Sequence, residues 1–255
     1  MPLLTIPYRE PLVSGRLLKR YKRFLADVEL ADGRVVTAHC VNTGAMEGLT
    51  RPGLPVWLSH QPSPKRKLAY TWELTQVDGV LVGTNTGAPN GIVGALLRAR
   101  VLPGLDWDEL RGEFPYGTNS RVDFWLRQGD RQHFVEVKNC HLTYPDGFGY
   151  FPDTVSDRAA KHLEELVREI EKGHRATVIF TAQRADTLGL RPSDVHDPVF
   201  ATTARAAARA GVAFRAVRIE PTPEALVVHE EIPVDVAPYD PAPARTWREA
   251  NRRID

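Results

Sequence analysis

The chain contains little cysteine and no long hydrophobic run. Its 255 residues include two cysteines, Cys40 and Cys140, which lie far apart in the sequence. This count argues against a secreted disulfide scaffold and fits a reducing compartment. No apolar run approaches the roughly 18 residues that a membrane span needs, and residues 1–7 lack the basic segment and long apolar core of a signal peptide. These absences predict a cytoplasmic protein without a membrane partner.

The chain also has almost no net charge, but its charges are unevenly distributed. Thirty-three Lys and Arg oppose 32 Asp and Glu, which gives a net charge of +1. Within residues 1–72, however, eleven Lys and Arg face five Asp and Glu. Because a clustered basic excess attracts polyanions, the first part of the chain is the candidate for a nucleic-acid contact.

Two basic segments carry this excess, and a solvated surface is the alternative interpretation of either one alone. Aromatic residues interleave with them, and an aromatic face beside a cation suits stacking on bases. The predicted DNA-binding residues are Arg20, Lys22 and Arg23 in the first segment and Lys65, Arg66 and Lys67 in the second, with Tyr21, Phe24, Tyr70 and Trp72 as the aromatic neighbours.

Residues 1–83 have the pattern of a small β-barrel. Short alternating segments are separated by turn signals such as Ala31-Asp32-Gly33 and Asp78-Gly79. Five or so short strands joined in this way are typical of an OB-like barrel. The predicted strands cover residues 23–30, 35–40, 56–59, 70–75 and 80–82.

Residues 84–232 have a different character, with helical and extended segments in alternation. The predicted helices cover residues 92–101, a segment that Ser156 or Asp157 caps and Gly173 ends, and residues 199–210; the predicted strands cover residues 121–127, 132–138, 176–180 and 212–217. This order favours an α/β (α+β) domain with a mixed sheet covered by helices. Residues 233–255, which contain several prolines, are predicted to form an extended tail.

The hairpin around residues 128–131 carries the strongest chemical signal. If Gly129-Asp130 is a two-residue turn, Asp123 lies opposite Glu136, and Lys138 projects from the same face as Glu136. Opposed carboxylates destabilise a sheet unless a cation lies between them or one acid has a raised pKa. Asp123 and Glu136 are therefore predicted Mg²⁺ ligands, with Mn²⁺ as a substitute, and Lys138 is predicted to assist a nucleophilic water.

The alternative interpretation of Glu136 and Lys138 is an ordinary solvated strand face. His162 lies on the polar side of its predicted helix, and we expect it to be exposed. No Walker loop or dinucleotide-binding fingerprint is present.

Several segments together resemble the sugar fermentation stimulation protein A (SfsA) family. They are residues 20–28 (RYKRFLADV), 39–46 (HCVNTGAM), 65–67 (KRK), 71–74 (TWEL), 120–124 (SRVDF), 135–138 (VEVK) and 151–153 (FPD). The resemblance implies an N-terminal OB-like domain followed by a domain of the PD-(D/E)XK nuclease fold. It also implies a DNA-binding protein linked to regulation of sugar, notably maltose, utilisation, with Asp123, Glu136 and Lys138 at the metal and catalytic positions.

One segment departs from the family pattern. Nuclease folds of this type often add a glutamate from the helix before the hairpin, but Gly94 and Ala95 stand where that acid is expected. Glu113 is the alternative acid.

Three functions follow from these observations. The first is a DNA-binding protein of low sequence specificity. The second is a Mg²⁺-dependent nuclease that cleaves DNA or RNA through Asp123, Glu136 and Lys138. The third is a regulatory scaffold whose partner is another protein. The sequence predicts no particular oligomeric state.

Overall fold

A computed structural model describes residues 1–117 and 120–251 of the chain. In chain order the elements are β1 (Leu4–Pro7), β2 (Val13–Tyr21), β3 (Leu25–Leu30), β4 (Val35–His39), β5 (Pro55–His60), β6 (Tyr70–Val77), β7 (Val80–Gly83), α1 (Ala88–Ala99), β8 (Glu109–Tyr116), β9 (Ser120–Gln128), β10 (Arg131–Cys140), β11 (Phe148–Phe151), α2 (Asp157–Glu171), β12 (Arg175–Ala182), β13 (Gly189–Pro192), α3 (Pro198–Ala210), β14 (Ala213–Pro221), β15 (Ala225–Ile232) and α4 (Ala242–Asn251). None of the helices in this part of the chain is long and apolar enough to cross a bilayer.

The first sheet is a closed five-stranded barrel. Its strands follow the order β2, β3, β4, β6 and β5, and β5 pairs back onto β2. The ring closes because β4 pairs with β6 in parallel, while the other neighbours are antiparallel. β7 adds to β6 outside the ring. The predicted OB-like barrel is confirmed.

Strand β2 was not among the predicted strands. Its register with β3 shifts between Leu17 and Lys19, so that Leu17 is buried in the barrel while Leu18 is exposed. Because this bulge interrupts the alternation of apolar and polar residues, the period-two signal of a strand is lost. The barrel core packs around Leu17, Met46 and Trp72.

The second sheet has seven strands in the order β1, β15, β14, β12, β10, β9 and β8. β10, β12 and β14 are parallel, and the remaining pairs are antiparallel. α1 covers one face through Ile92 and Leu96, whereas α2 and α3 cover the other through Leu163 and Phe200. The predicted mixed sheet covered by helices is confirmed.

The two helices on this second face begin at side-chain caps. Ser156 accepts a hydrogen bond from Ala159 N at the start of α2, and Asp197 accepts one from Phe200 N at the start of α3. Each cap satisfies a backbone donor that the first turn of a helix leaves free. Gly211 ends α3 in a left-handed conformation that glycine adopts without strain.

The start of the chain belongs to the second sheet rather than to the barrel. Leu4–Pro7 pairs antiparallel with β15. The predicted first domain, residues 1–83, therefore begins before the barrel does in the structure. Four residues are too few for a clear pattern, and the partner strand lies more than 200 residues further along the chain. Local sequence signals therefore did not reveal the pairing.

The segment from residue 233 is docked on the protein, so the predicted extended tail is wrong. α4 buries Ala244, the Trp247 ring lies 5.0 Å from that of Tyr144, and Arg248 Nε donates to Glu47 Oε2 of the barrel at 2.8 Å. Prolines delay the helix to residue 242, but they do not prevent packing of the aromatic and charged residues that follow.

Candidate functional site

The hairpin has the predicted register. Trp125 lies opposite Phe134 and Val135 lies opposite Phe124, as a turn at Gly129-Asp130 requires. The ladder ends at this second pair, one position before Asp123. There the Asp123 side chain replaces a strand partner, because its Oδ2 accepts the Val137 N–H at 2.7 Å.

Asp123 is anchored from the opposite side by α1. Its Oδ1 accepts a hydrogen bond from Asn90 Nδ2 at 2.7 Å. Burial raises the pKa of Asp123, and the negative charge of Glu136 raises it further, although the Val137 and Asn90 hydrogen bonds oppose both effects.

One carboxylate oxygen of Glu136 accepts hydrogen bonds from two side chains. Its Oε1 accepts from Lys138 Nζ at 2.6 Å and from His162 Nδ1 at 2.5 Å. Burial alone would raise the pKa of Glu136, but the hydrogen bond from His162 and the charge of Lys138 outweigh it and keep the pKa below its usual range. The environments of Asp123 and Glu136 thus push their pKa values in opposite directions.

His162 is buried, so the prediction that it is exposed is wrong. Its relative exposure is 6%. Arg158 Nε donates to Nε2 at 3.4 Å, so Nδ1 carries the proton that it donates to Glu136. The signal for burial was in the sequence, because Ala159, His162 and Leu166 follow the i, i+3, i+7 spacing of one helix face.

The helix residue that reaches Asp123 is an amide rather than an acid. Gly94, which stands where a glutamate was expected, packs against Phe124: a Cβ at this position would lie 3.1 Å from the ring. The glycine therefore permits close packing of α1 on β9. Asn90, one turn earlier on α1, makes the contact with the site. Glu113, the alternative acid, lies at the rim of the adjoining cavity.

Asp123 and Glu136, which we call the acid pair, line a cavity of about 690 Å³. Positive side chains alternate with two acids around its rim. The lining includes Glu113, Arg121, Lys138, Asp157, Arg158 and Lys161. Such a cavity suits an anionic group that approaches a cation held by the buried carboxylates.

One carboxylate oxygen of the pair remains available for a cation. Glu136 Oε2 is buried and has no hydrogen-bond partner in residues 1–117 and 120–251. Within the same residues, no group of three His, Cys, Asp or Glu side chains is arranged to hold a metal ion. The donor set is therefore two carboxylates, which suits a hard cation that keeps most of its water ligands.

Arg20, a predicted DNA-binding residue, forms hydrogen bonds with the backbone of the protein itself. Its Nη2 donates to the carbonyl oxygens of Arg23, Asn42 and Gly44, each at 2.9 Å. Because these bonds hold Nη2 and because Nε is buried, Arg20 braces the loop after β4 and is not a free surface cation.

The other predicted basic residues are mostly free. Lys22, Arg23, Lys65 and Lys67 are exposed, and within the described part of the chain their side chains have no ion-pair partner. Arg66 is half-buried, and its guanidinium donates to Gln61 Oε1 at 3.2 Å and to Thr71 Oγ1 at 2.7 Å.

The barrel brings together the first residues of the two strands that follow the basic segments. Leu25 pairs with His39 at the start of β3, and His39 pairs with Thr71 at the start of β6. The first residues of β3 and β6 therefore lie two strand spacings apart, about 10 Å, and because these strands run in opposite directions, the turn before β3 and the loop before β6 lie on either side of this point. We call the surface formed by Lys22, Arg23, Lys65 and Lys67 the basic edge.

The aromatic neighbours of the basic edge differ in exposure. Trp72 is 1% exposed and its Nε1 donates to Leu74 O, which excludes it from any surface contact. Tyr21 donates to Asp27, and the Tyr70 ring stacks on His60 with centroids 4.5 Å apart. Phe24 is 46% exposed.

A short connection joins the loop after β4 to the cavity. The loop that Arg20 braces lies against Asp153, since a Cβ on Gly44 would be 3.0 Å from the Asp153 carboxylate. Four residues later Asp157 begins α2, the helix that carries Arg158 and His162 to the cavity. The loop after β4 thus adjoins the N-terminal end of α2.

Comparisons with known proteins agree with this architecture. Residues 18–84 match the family model described as the SfsA N-terminal OB domain, and residues 87–225 match the one described as the sugar fermentation stimulation protein RE domain. The sugar fermentation stimulation protein homolog of Maricaulis maris is 49% identical over 228 residues, which cover 89% of this chain and 97% of the homolog. The homolog of Thioalkalivibrio sulfidiphilus is 44% identical over 232 residues, which cover 90% and 98%.

A solved structure shows the same fold. The structure of Pyrococcus furiosus SfsA in complex with Ca²⁺ superposes with a TM-score of 0.81 at 24% identity, over 92% of this chain and 99% of that one. The predicted OB-like barrel followed by a mixed-sheet domain is thereby confirmed. With matched domains over most of its length and homologs above 40% identity, the chain belongs to the sugar fermentation stimulation protein (SfsA) family.

Proposed function

We propose that the protein binds DNA through the basic edge, with low sequence specificity. The observation that carries the proposal is the position of four uncommitted cations on the turn before β3 and the loop before β6, two strands whose first residues are neighbours in the barrel. The turn between β2 and β3 and the loop between β5 and β6 correspond to the two loops with which OB folds contact oligonucleotides. Lys22 and Arg23 fall on the first of these loops, and Lys65, Arg66 and Lys67 fall on the second.

Low specificity follows from the type of side chain. Lys22, Lys65 and Lys67 present ammonium groups, which contact phosphates as point charges and carry no base information. The name shared by the relatives refers to sugar fermentation, and we propose that DNA binding by this chain acts in that process. Contacts of the same kind would also accept RNA.

The test is a matched charge removal. We expect the quadruple variant Lys22→Gln, Arg23→Gln, Lys65→Gln, Lys67→Gln to bind a labelled DNA duplex at least about 10-fold more weakly than wild type in a gel-shift titration, because it loses up to four phosphate contacts. Removal of equal charge from Arg98, Arg168, Arg209 and Arg245, which are not on the basic edge, is the control. Equal weakening in both variants, or no binding by wild type, would contradict the proposal.

A second candidate function is a Mg²⁺-dependent nuclease, favoured by the buried, unpartnered Glu136 Oε2 beside Asp123. These two carboxylates would hold the ion, with Mn²⁺ as a substitute; when bound, Mg²⁺ supplies Lewis acidity and a water of lowered pKa. The likeness to a structure solved with Ca²⁺, another cation that prefers oxygen ligands, supports this choice.

The chain's own residues would then position the phosphodiester. Lys138 Nζ, held 2.6 Å from Glu136 Oε1, places a positive charge beside the carboxylates, where it offsets charge that develops on a phosphate oxygen. Arg121, Arg158 and Lys161 on the rim attract the neighbouring phosphates.

Cleavage assays on DNA and RNA with Mg²⁺ or Mn²⁺ test this second function. We expect Asp123→Asn to abolish cleavage, whereas Asp157→Asn, at the exposed rim of the same cavity, keeps most of it. Equal background cleavage by wild type and Asp123→Asn would show that this site does not cleave nucleic acid.

A further inference from the structure

The turn at the tip of the β2–β3 hairpin has an unfavourable backbone. Lys22 and Arg23 adopt φ values of 51° and 66°, in the left-handed region that residues with a Cβ seldom occupy. Glycine or asparagine is the usual residue in such a turn. Backbone strain of this kind persists where the surroundings enforce it, and it concentrates at functional positions.

Contacts on both sides of the turn enforce this conformation. Arg20 Nη2 donates to Arg23 O at 2.9 Å, and Phe24 O accepts the Cys40 N–H at 2.8 Å. The backbone around Phe24 is therefore fixed before any ligand arrives. A preorganised contact loses less conformational entropy on binding than a mobile one.

The fixed turn leaves the Phe24 ring exposed beside two free cations. Its ring is 46% exposed, and no ring or cation–π contact involves it within residues 1–117 and 120–251. Lys22 and Arg23 precede it directly, and both are exposed. Single exposed apolar side chains are common on protein surfaces, so it is the position of this ring on a fixed loop beside free cations that points to a ligand.

We propose that Phe24 is a stacking platform for an unpaired base, so that the protein's ligand is a nucleic acid with a single-stranded segment. This inference rests on the proposed DNA binding and names the form of DNA that the basic edge prefers. A flat ring beside cations matches the two parts of a nucleotide, the base face and the phosphate. A base inside a duplex has both faces covered by its neighbours and cannot stack on Phe24 without being unstacked first.

The test compares single-stranded and duplex DNA on four proteins. Fluorescence anisotropy measures the affinity of a labelled thymidine oligonucleotide and of a blunt duplex of equal length for wild type, Phe24→Ala, Phe24→Tyr and Leu18→Ala. Leu18, an exposed apolar residue on neighbouring β2, is the matched control. We expect Phe24→Ala to weaken single-strand binding roughly 5- to 100-fold and duplex binding less than about 2-fold. Phe24→Tyr and Leu18→Ala should bind as wild type does.

Each other outcome is decisive. Equal losses on both DNA forms would overturn the inference in favour of a wedge inserted between base pairs. No loss on either form would overturn it while leaving binding by the basic edge intact. Failure of wild type to bind any DNA would instead refute the proposed function itself. Because Phe24 lies outside the barrel core, an unchanged melting temperature is expected for every variant.

Discussion

The acid pair and the basic edge differ in whether their charged side chains have partners within the protein. Around Glu136 the charged and polar groups contact one another, with Lys138, His162 and Arg158 linked in one hydrogen-bonded chain. On the basic edge, the ammonium groups of Lys22, Lys65 and Lys67 have no ion-pair partner in the described part of the chain. Burial explains the difference, since a buried charge must be paired whereas an exposed one is solvated.

This contrast predicts how each region responds to mutation. Around Glu136, hydrogen bonds fix the position of each side chain, so single substitutions there should have large and specific effects. On the basic edge, the contribution of each cation is small and the number of cations matters. The following experiments test that contrast, in decreasing order of effect.

Lys138→Met should reduce cleavage by about 10²- to 10³-fold, because it removes the positive charge beside the proposed reaction centre. The measurement is the rate of single-turnover cleavage with saturating Mg²⁺. DNA affinity should change little, since Lys138 lies in the cavity and not on the basic edge.

Lys161→Met is the matched control. Lys161 lines the same cavity but is exposed, and its nearest carboxylate oxygen, Glu165 Oε1, is 3.8 Å away. A loss of cleavage as large as that of Lys138→Met would show that the cavity responds to its total charge, as we expect of the basic edge.

His162→Ala should weaken Mn²⁺ binding about 10- to 100-fold, because the imidazole orients Glu136 through its Nδ1 hydrogen bond. Isothermal titration calorimetry measures the affinity without requiring activity. His229→Ala, on β15 with an exposed partner in Glu220, should leave the affinity unchanged. An unaffected affinity in His162→Ala would mean that Glu136 needs no second residue to orient it.

Arg20→Met should lower the melting temperature by about 2 to 10 °C, because it leaves backbone carbonyls without their donor at a cost of roughly 1–3 kcal/mol. The salt dependence of DNA binding should stay close to that of wild type, since the guanidinium contacts no phosphate. Lys19→Met, which removes an exposed ion pair with Asp27, should hardly change the melting temperature. The reverse pattern would identify Arg20 as a DNA contact.

Lowering the pH should weaken the contact between α4 and Glu47 of the barrel. We expect this effect to be the smallest of the series. Burial alone would raise the pKa of Glu47, but hydrogen bonds from His196 and Arg248 hold it below its usual range. The contact therefore stabilises the fold above the ordinary glutamate pKa of about 4.3, and this contribution is lost as the pH falls through the lower pKa of the folded state. Hydrogen exchange of α4 between pH 3 and pH 6 should show this loss in wild type but not in Glu47→Gln.

The hairpin and its acid pair were predictable because their signals are local. A two-residue turn at Gly129-Asp130 determines the register, and the register places Asp123 near Glu136. α2 and α3 were predictable for the same reason, since Ser156 caps one and Gly211 ends the other.

The remaining features depend on residues that are distant in sequence. The Asn42 and Gly44 carbonyls that Arg20 contacts lie 22 and 24 positions away, Glu136 is 26 positions from His162, and Arg248 is 201 positions from Glu47. Charge and helical pattern describe each of these residues alone. Only the packed chain shows that Arg20 is occupied and that His162 faces a carboxylate.

We propose that free cations on the basic edge bind DNA phosphates. The most direct measurement is DNA affinity between about 50 and 200 mM salt, because each phosphate contact contributes about −0.9 to the slope of log K against log salt concentration. We expect a clearly negative slope for wild type and a shallower one for the variant that lacks Lys22, Arg23, Lys65 and Lys67. An affinity independent of salt, or the same slope in both proteins, would contradict the claim.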